Sequence, residues 1–190
     1  MRRHIALLAC ALIAGGLAGC ARDDTTAATL EPRASVSASV GQTDLDLATL
    51  RRITTPFQSF QVAKDAGWST KITACMQDPK LGGMGFHYGN AEFIDGVARV
   101  DEPEVMLYQP LAGGVMQLVG VEYVVPLGAW HGARPPRLFN RDFKVNSTFG
   151  VWALHVWLWK TNPSGTFADW NPKVNCERTT DLQPMSAMAH

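Results

Sequence analysis

Apolar positions in this chain are spaced for helices at first and for strands afterwards. Leu47, Leu50 and Thr54 fall on one helical face behind Thr43-Asp44-Leu45-Asp46, whose short oxygen-bearing side chains suit a helix N-cap. Pro56 begins a second helical segment, with Phe57, Phe60 and Ala63 at helical spacing and Gly67 as its stop. From Trp68 on, short apolar runs are parted by glycine and proline clusters at 79–85, 95–96, 110–114, 126–136 and 162–165, the signature of strands joined by turns. Residues 105–109 and 115–125 read as an antiparallel hairpin. Residues 149–160 read as a third strand, with Val151, Ala153, Trp157 and Trp159 on one face and Trp152, Leu154, Val156 and Leu158 on the other. A strand apolar on both faces is expected in the middle of a sheet. The expected class is therefore α+β, a mainly antiparallel sheet packed on N-terminal helices, in one domain over 45–180 with a flexible tail at 181–190.

The start of the chain follows a different logic. Met1-Arg2-Arg3-His4 precedes an apolar stretch and then Leu17-Ala18-Gly19-Cys20, the order of a secretory signal. The stretch falls short of the roughly 20 apolar residues a bilayer span requires, so residues 1–19 read as a removed signal peptide. Leu17-Ala18-Gly19-Cys20 looks like the lipobox of bacterial lipoproteins, in which the cysteine is acylated and becomes the new N-terminus. Two acyl chains anchor stably where one is marginal. The expected partner is thus membrane lipid through acylated Cys20, and the expected location is the cell envelope outside the cytoplasm. Because Ala21 and not Asp follows the cysteine, the outer membrane is expected if the organism has one. Residues 20–44, rich in Ala, Ser, Thr and Asp, read as the acylated cysteine and a flexible tether.

Charge and cysteine usage narrow the classes further. Loss of Arg2 and Arg3 leaves 15 basic against 17 acidic residues, with no basic patch for nucleic acid and no polybasic run for anionic lipid. Cys10 departs with the signal and Cys20 carries lipid, which leaves Cys75 and Cys176. In an oxidising compartment these read as a disulfide, and closing a loop of about 100 residues contributes about 4.7 kcal/mol in the chain-entropy account. The alternative, a catalytic thiol beside a histidine, needs one of the two to stay unpaired.

A few polar residues interrupt the apolar pattern. Glu122 alternates with Met116, Leu118 and Val124; His155 shares a face with Ala153 and Trp157; His87 follows Gly82-Gly83-Met84-Gly85, which reads as a tight turn. A buried unpaired carboxylate costs several kcal/mol, so such a group is neutralised, paired or bound to a metal. Together the three would make a two-histidine, one-carboxylate set for a transition metal such as zinc, iron, manganese or copper, with open positions for water or substrate. Glu104, beside Pro103, is a candidate fourth ligand or a partner of one. A metal there would also allow an enzyme, through an activated water and a neighbouring carboxylate base. The competing reading is a hydrogen-bonded Glu–His network that rigidifies the core.

Other templates are absent: no G-x-S-x-G elbow, Walker loop or G-x-G-x-x-G follows a strand, and no H-E-x-x-H occurs. Asp169-Trp170-Asn171-Pro172 reads either as a pocket rim or as a turn held by its own Asp and Asn.

The runs Gly83-Met84-Gly85-Phe86-His87-Tyr88, Val119-Gly120-Val121-Glu122-Tyr123, Leu154-His155-Val156-Trp157 and Asn162-Pro163-Ser164-Gly165-Thr166-Phe167-Ala168-Asp169-Trp170-Asn171-Pro172, closing on Cys176, resemble a family of uncharacterised exported bacterial lipoproteins. The resemblance spans residues 75–176 and implies no activity; it places His87, Glu122 and His155 inside the signature runs, with Cys75 and Cys176 bracketing them. Three functional classes follow: a lipoprotein with a metal or small-ligand site, a structural or interaction lipoprotein without an ion, and an apolar-ligand binder using the tryptophan-rich strand.

Overall fold

The computed structural model describes residues 31–179 and 182–184, with side chains from 41 to 179. The signal segment, Cys20, residues 21–30 and the rest of the tail lie outside the described residues. No helix among those described is long and apolar enough to cross a membrane.

Helix α1 (Glu31–Thr54) carries Pro32 in its first turn, where the missing N–H leaves no helical bond unmade. It starts well before the cap expected at Thr43, so residues 31–44 are helical where a tether was expected. The polar side chains that suggested a cap serve the helix surface instead, as in the bond from Gln42 Nε2 to Asp46 Oδ1 at 2.7 Å. Leu45 is 65% exposed, so this outer part lacks the apolar stripe that marks a helix in sequence; it extends a helix already docked further along, and extension is far easier than nucleation. Docking starts at Leu47 and Leu50, and Thr54 is wholly buried. A 3₁₀ turn at Thr55–Gln58 contains Pro56, and α2 (Phe60–Asp65) follows, ending before Gly67 with φ 109°.

Ten strands follow: β1 (Thr70–Lys71), β2 (Cys75–Asp78), β3 (Gly82–Gly89), β4 (Val105–Pro110), β5 (Met116–Pro126), β6 (Arg137–Leu138), β7 (Arg141–Asp142), β8 (Lys144–Asn146), β9 (Val151–Val156) and β10 (Leu182–Pro184). The main sheet runs β10-β2-β3-β4-β5-β9-β8, with β1 also on β3; β6 and β7 pair with each other. Every pairing is antiparallel except β10 on β2. Part of the expected tail is therefore a strand. The Cys75–Cys176 disulfide holds the chain beside β2, and Leu182 pairs with Cys75 itself.

The fold class and the β4–β5 hairpin match expectation, while three details differ. Gly82 and Gly85 belong to β3, not to a tight turn. A Cβ on Gly85 would strike the carbonyl oxygen of Tyr108, so glycine here permits close strand approach. In β5 the register against β4 slips at Val119, a bulge that puts one extra residue between the partners of Tyr108 and Leu107. Alternation restarts there, so Leu118 and Met116 pack on the helix face while Val119, Glu122 and Val124 face the other way. Finally, β9 ends at Val156 and is second from the sheet edge, not central. The Val119 carbonyl receives Trp159 and Lys160 N–H at 3.1 Å each, which draws the chain out of the ladder. Trp159 thereby turns to the helix face, where Arg51 lies over its ring.

The main core lies between the helices and the sheet: Leu50, Ala63, Trp68, Met106, Tyr108, Val121, Tyr123, Val125, Leu154 and Val156 are buried there. At about 1.5–3 kcal/mol for each large side chain, this face carries most of the apolar burial. A smaller cluster of Val105, Leu107, Val119, Val124, Trp157 and Val174 occupies the opposite face.

Candidate metal centre

Strand register brings the three site residues together. His155 on β9 pairs directly with Glu122 on β5, and Glu122 pairs with Val105 on β4. His87, in β3 and not at a turn, pairs with Leu107, so its ring reaches the others diagonally across β4. All three are buried, with exposures of 4% for His87, 6% for Glu122 and 5% for His155. His87 Nε2 lies 3.6 Å from Glu122 Oε2, and His155 Nε2 lies 3.7 Å from Oε1. One donor atom from each residue falls within 4.8 Å of the others, a grouping that Glu104 does not join. Glu104 is buried too, but its Oε2 accepts a hydrogen bond from Val124 N at 3.1 Å, so this carboxyl ties two strands together.

Burial dominates the electrostatics. It pushes the Glu122 carboxyl up to about 8, helped by the Asp169 charge. It holds His87 down at about 3, reinforced by His155 and opposed by a backbone hydrogen bond with Gly85, and His155 at about 4, reinforced by Lys144. The His–Glu separations are within ion-pair range, yet at neutral pH the acid keeps its proton and both rings are uncharged, so these contacts are not ion pairs. They are also too long for hydrogen bonds. His155 Nε2 is buried with no hydrogen-bond partner. An unsatisfied buried polar atom costs about 1–3 kcal/mol and calls for an explanation.

The supports of the rings were not visible in sequence. Thr73 Oγ1 is 2.9 Å from His87 Nδ1. It arrives because β1 and β2 both pair along the same edge of β3 and the residues between them cross beside His87, where Ile72 N donates to the His87 carbonyl at 2.8 Å. A hydroxyl that binds Nδ1 turns Nε2 toward Glu122, the arrangement by which ligating histidines are oriented. The His155 ring stacks on Trp157 at 6.2 Å between centroids and 9° between planes. Nothing in the spacing of Thr73 or Trp157 distinguishes them from ordinary strand residues.

The cluster forms the floor of a cleft of about 460 Å³. Aliphatic side chains, among them Ile72, Val105, Val124, Val151 and Ala153, make its walls, with Val145 and Phe149 at the mouth. Lys144 and Asp169 face the cleft as a pair, Nζ lying 2.9 and 2.8 Å from the two carboxylate oxygens. The 169–172 run divides its work: Asp169 and Trp170 line the cleft, while Asn171 Oδ1 accepts the N–H of Lys173. Of the six tryptophans only Trp170 lines the cleft, so the tryptophan-rich strand is core and not a ligand surface.

Two ligands at about 2.1 Å from one ion, at a tetrahedral angle, sit about 3.4 Å apart. The two histidines and Glu122 need only a small contraction to reach that geometry, and the cleft leaves further coordination positions accessible. No protein-family model, curated protein or solved structure matches the chain.

Proposed function

We propose that the chain is a lipid-anchored protein of the bacterial cell envelope, exported behind residues 1–19 and acylated at Cys20, whose domain binds a divalent transition metal through His87, Glu122 and His155. The observation that carries the metal reading is the convergence of three buried donors at the floor of an open cleft, with His155 Nε2 left without a partner. Two nitrogens and one oxygen suit zinc or iron(II), and such an ion supplies Lewis-acid polarisation and a low-pKa bound water. Export is supported by the disulfide, which forms and persists in oxidising compartments.

The test is metal content. The full chain, exported and purified from membranes, is expected to hold close to one metal per molecule by mass spectrometry, falling at least tenfold in His155→Ala and in His87→Ala with circular dichroism and the disulfide unchanged. A wild-type protein that holds no metal after incubation with zinc or iron(II) ends this reading. Lipid on Cys20 is checked by mass spectrometry of the N-terminal peptide.

A further inference from the structure

A divalent ion held by one carboxylate and two neutral imidazoles leaves a net charge of +1 on the floor of the cleft. The other charged side chains lining the cleft, Lys144 and Asp169, neutralise each other. Leaving a charge uncompensated among apolar walls is costly, and a single negative charge from the ligand removes that cost. A phosphate dianion overshoots the balance, and a neutral amide or sugar leaves it unmet. The walls describe the rest of the ligand. They are aliphatic, and apolar side chains continue to the mouth, where Val145 is 54% and Phe149 38% exposed. A volume of about 460 Å³ is in the range of pockets for small organic molecules.

We propose that this centre takes a monocarboxylate with an apolar tail, the carboxylate completing the coordination of the bound metal and the tail lying along the aliphatic wall toward Val145 and Phe149. This rests on the metal reading above. The same geometry fixes the order of groups in the ligand: the anionic oxygens enter first and the hydrocarbon fills the cleft behind them. A carboxylate buried in the middle of a molecule would not reach the floor.

The experiment is a calorimetric titration of the zinc-loaded full chain, in one non-ionic detergent throughout, with acetate, butyrate, hexanoate and octanoate, and with 1-octanol as the uncharged control. Burying one methylene corresponds to about a fourfold gain in affinity. Affinity is expected to climb by roughly that factor per carbon, at least a hundredfold from acetate to octanoate, with 1-octanol at least tenfold weaker than octanoate. The climb is expected to flatten beyond butyrate in the double variant Val145→Ser/Phe149→Ser, whose changes are at the exposed mouth and leave zinc content intact. Zinc retained with equal affinity for acetate and octanoate overturns the proposal and leaves the metal centre standing. The same chain-length dependence in zinc-free protein overturns the assignment of the carboxylate to the metal. Zinc not retained at all removes the metal centre, and this inference with it.

Discussion

The two faces of the main sheet treat buried polar groups in opposite ways. On the helix face each buried hydroxyl or indole named below has a partner: Tyr108 Oη donates to Phe57 O at 2.6 Å, Tyr123 Oη to Val100 O at 2.7 Å, and Trp68 Nε1 to Pro103 O at 3.0 Å. On the cleft face two imidazoles and a carboxyl stand beyond hydrogen-bond distance of one another, one ring nitrogen has no partner, and the space above them is open. Both faces are built from the same strands. One is closed by packing, and the other holds polar atoms in reserve for something that enters from outside.

The largest effect expected on the packed face comes from Leu50→Ala. Leu50 is fully buried at the point where α1 docks, and deleting such a side chain costs about 3–4 kcal/mol once the residual cavity is included. A urea midpoint lowered accordingly, with unchanged metal content, would confirm that the packed face carries stability and not binding. A loss of metal in this variant would mean that the two faces are coupled.

Next comes a contrast between two buried acids, Glu104 and Glu122, both pushed up to about 8 by burial. Glu104 accepts a backbone N–H from Val124, whereas Glu122 faces two rings. A carboxyl raised from 4.5 to about 8 stays protonated in the folded protein while the unfolded chain has already released its proton, so it lowers stability progressively as pH rises from about 4.5 to 8. Glu104→Gln removes that slope. Relative to wild type, the variant is expected to match within about 1 kcal/mol at pH 5 and to gain about 2–3 kcal/mol at pH 8.5, measured by urea unfolding at both pH values. Equal differences at the two pH values would show that Glu104 is ionised in the folded protein.

How far sequence alone reached follows the same division. Helix-face positions such as Leu47, Leu50, Leu154 and Val156 were legible because burial against a single layer imposes a period of 3.6 or 2. His87, Glu122 and His155 stood out because charged or polar residues seldom sit in such runs. Their convergence was not legible, because it depends on pairings between distant strands and on the bulge at Val119, which leaves no mark in the alternation until the partner strand is known. Even the face assigned to Glu122 was right only in part: Val124 shares it, whereas Met116 and Leu118, beyond the bulge, do not. The outer half of α1 escaped for the opposite reason, since a helix that buries nothing there shows no period.

A smaller effect sharpens the packed side of the comparison. Tyr108→Phe keeps the buried ring and deletes its hydroxyl, leaving the Phe57 carbonyl without that donor, at a cost of about 1–1.5 kcal/mol in the urea midpoint. A change near zero would mean that water replaces the hydroxyl and that this face is looser than its burial suggests.

The smallest expected change is the one that decides the comparison. His155→Leu exchanges a buried ring with an unsatisfied nitrogen for an apolar side chain, in a wall already made of Val124, Val151 and Ala153. If that nitrogen contributes nothing to the fold, relief of its desolvation offsets the imperfect fit of leucine against Trp157. In protein stripped of metal the variant is then expected to lie within about 1 kcal/mol of wild type, on either side, whereas Tyr108→Phe on the packed face loses stability for removing a single oxygen. Adding zinc to a hundred times its dissociation constant is expected to raise wild-type stability by about 2.7 kcal/mol and leave His155→Leu unmoved. Should the stripped variant instead fall by more than about 2 kcal/mol, His155 is knitted into the core like the tyrosines opposite, and the cleft face loses its claim to hold polar atoms for a ligand.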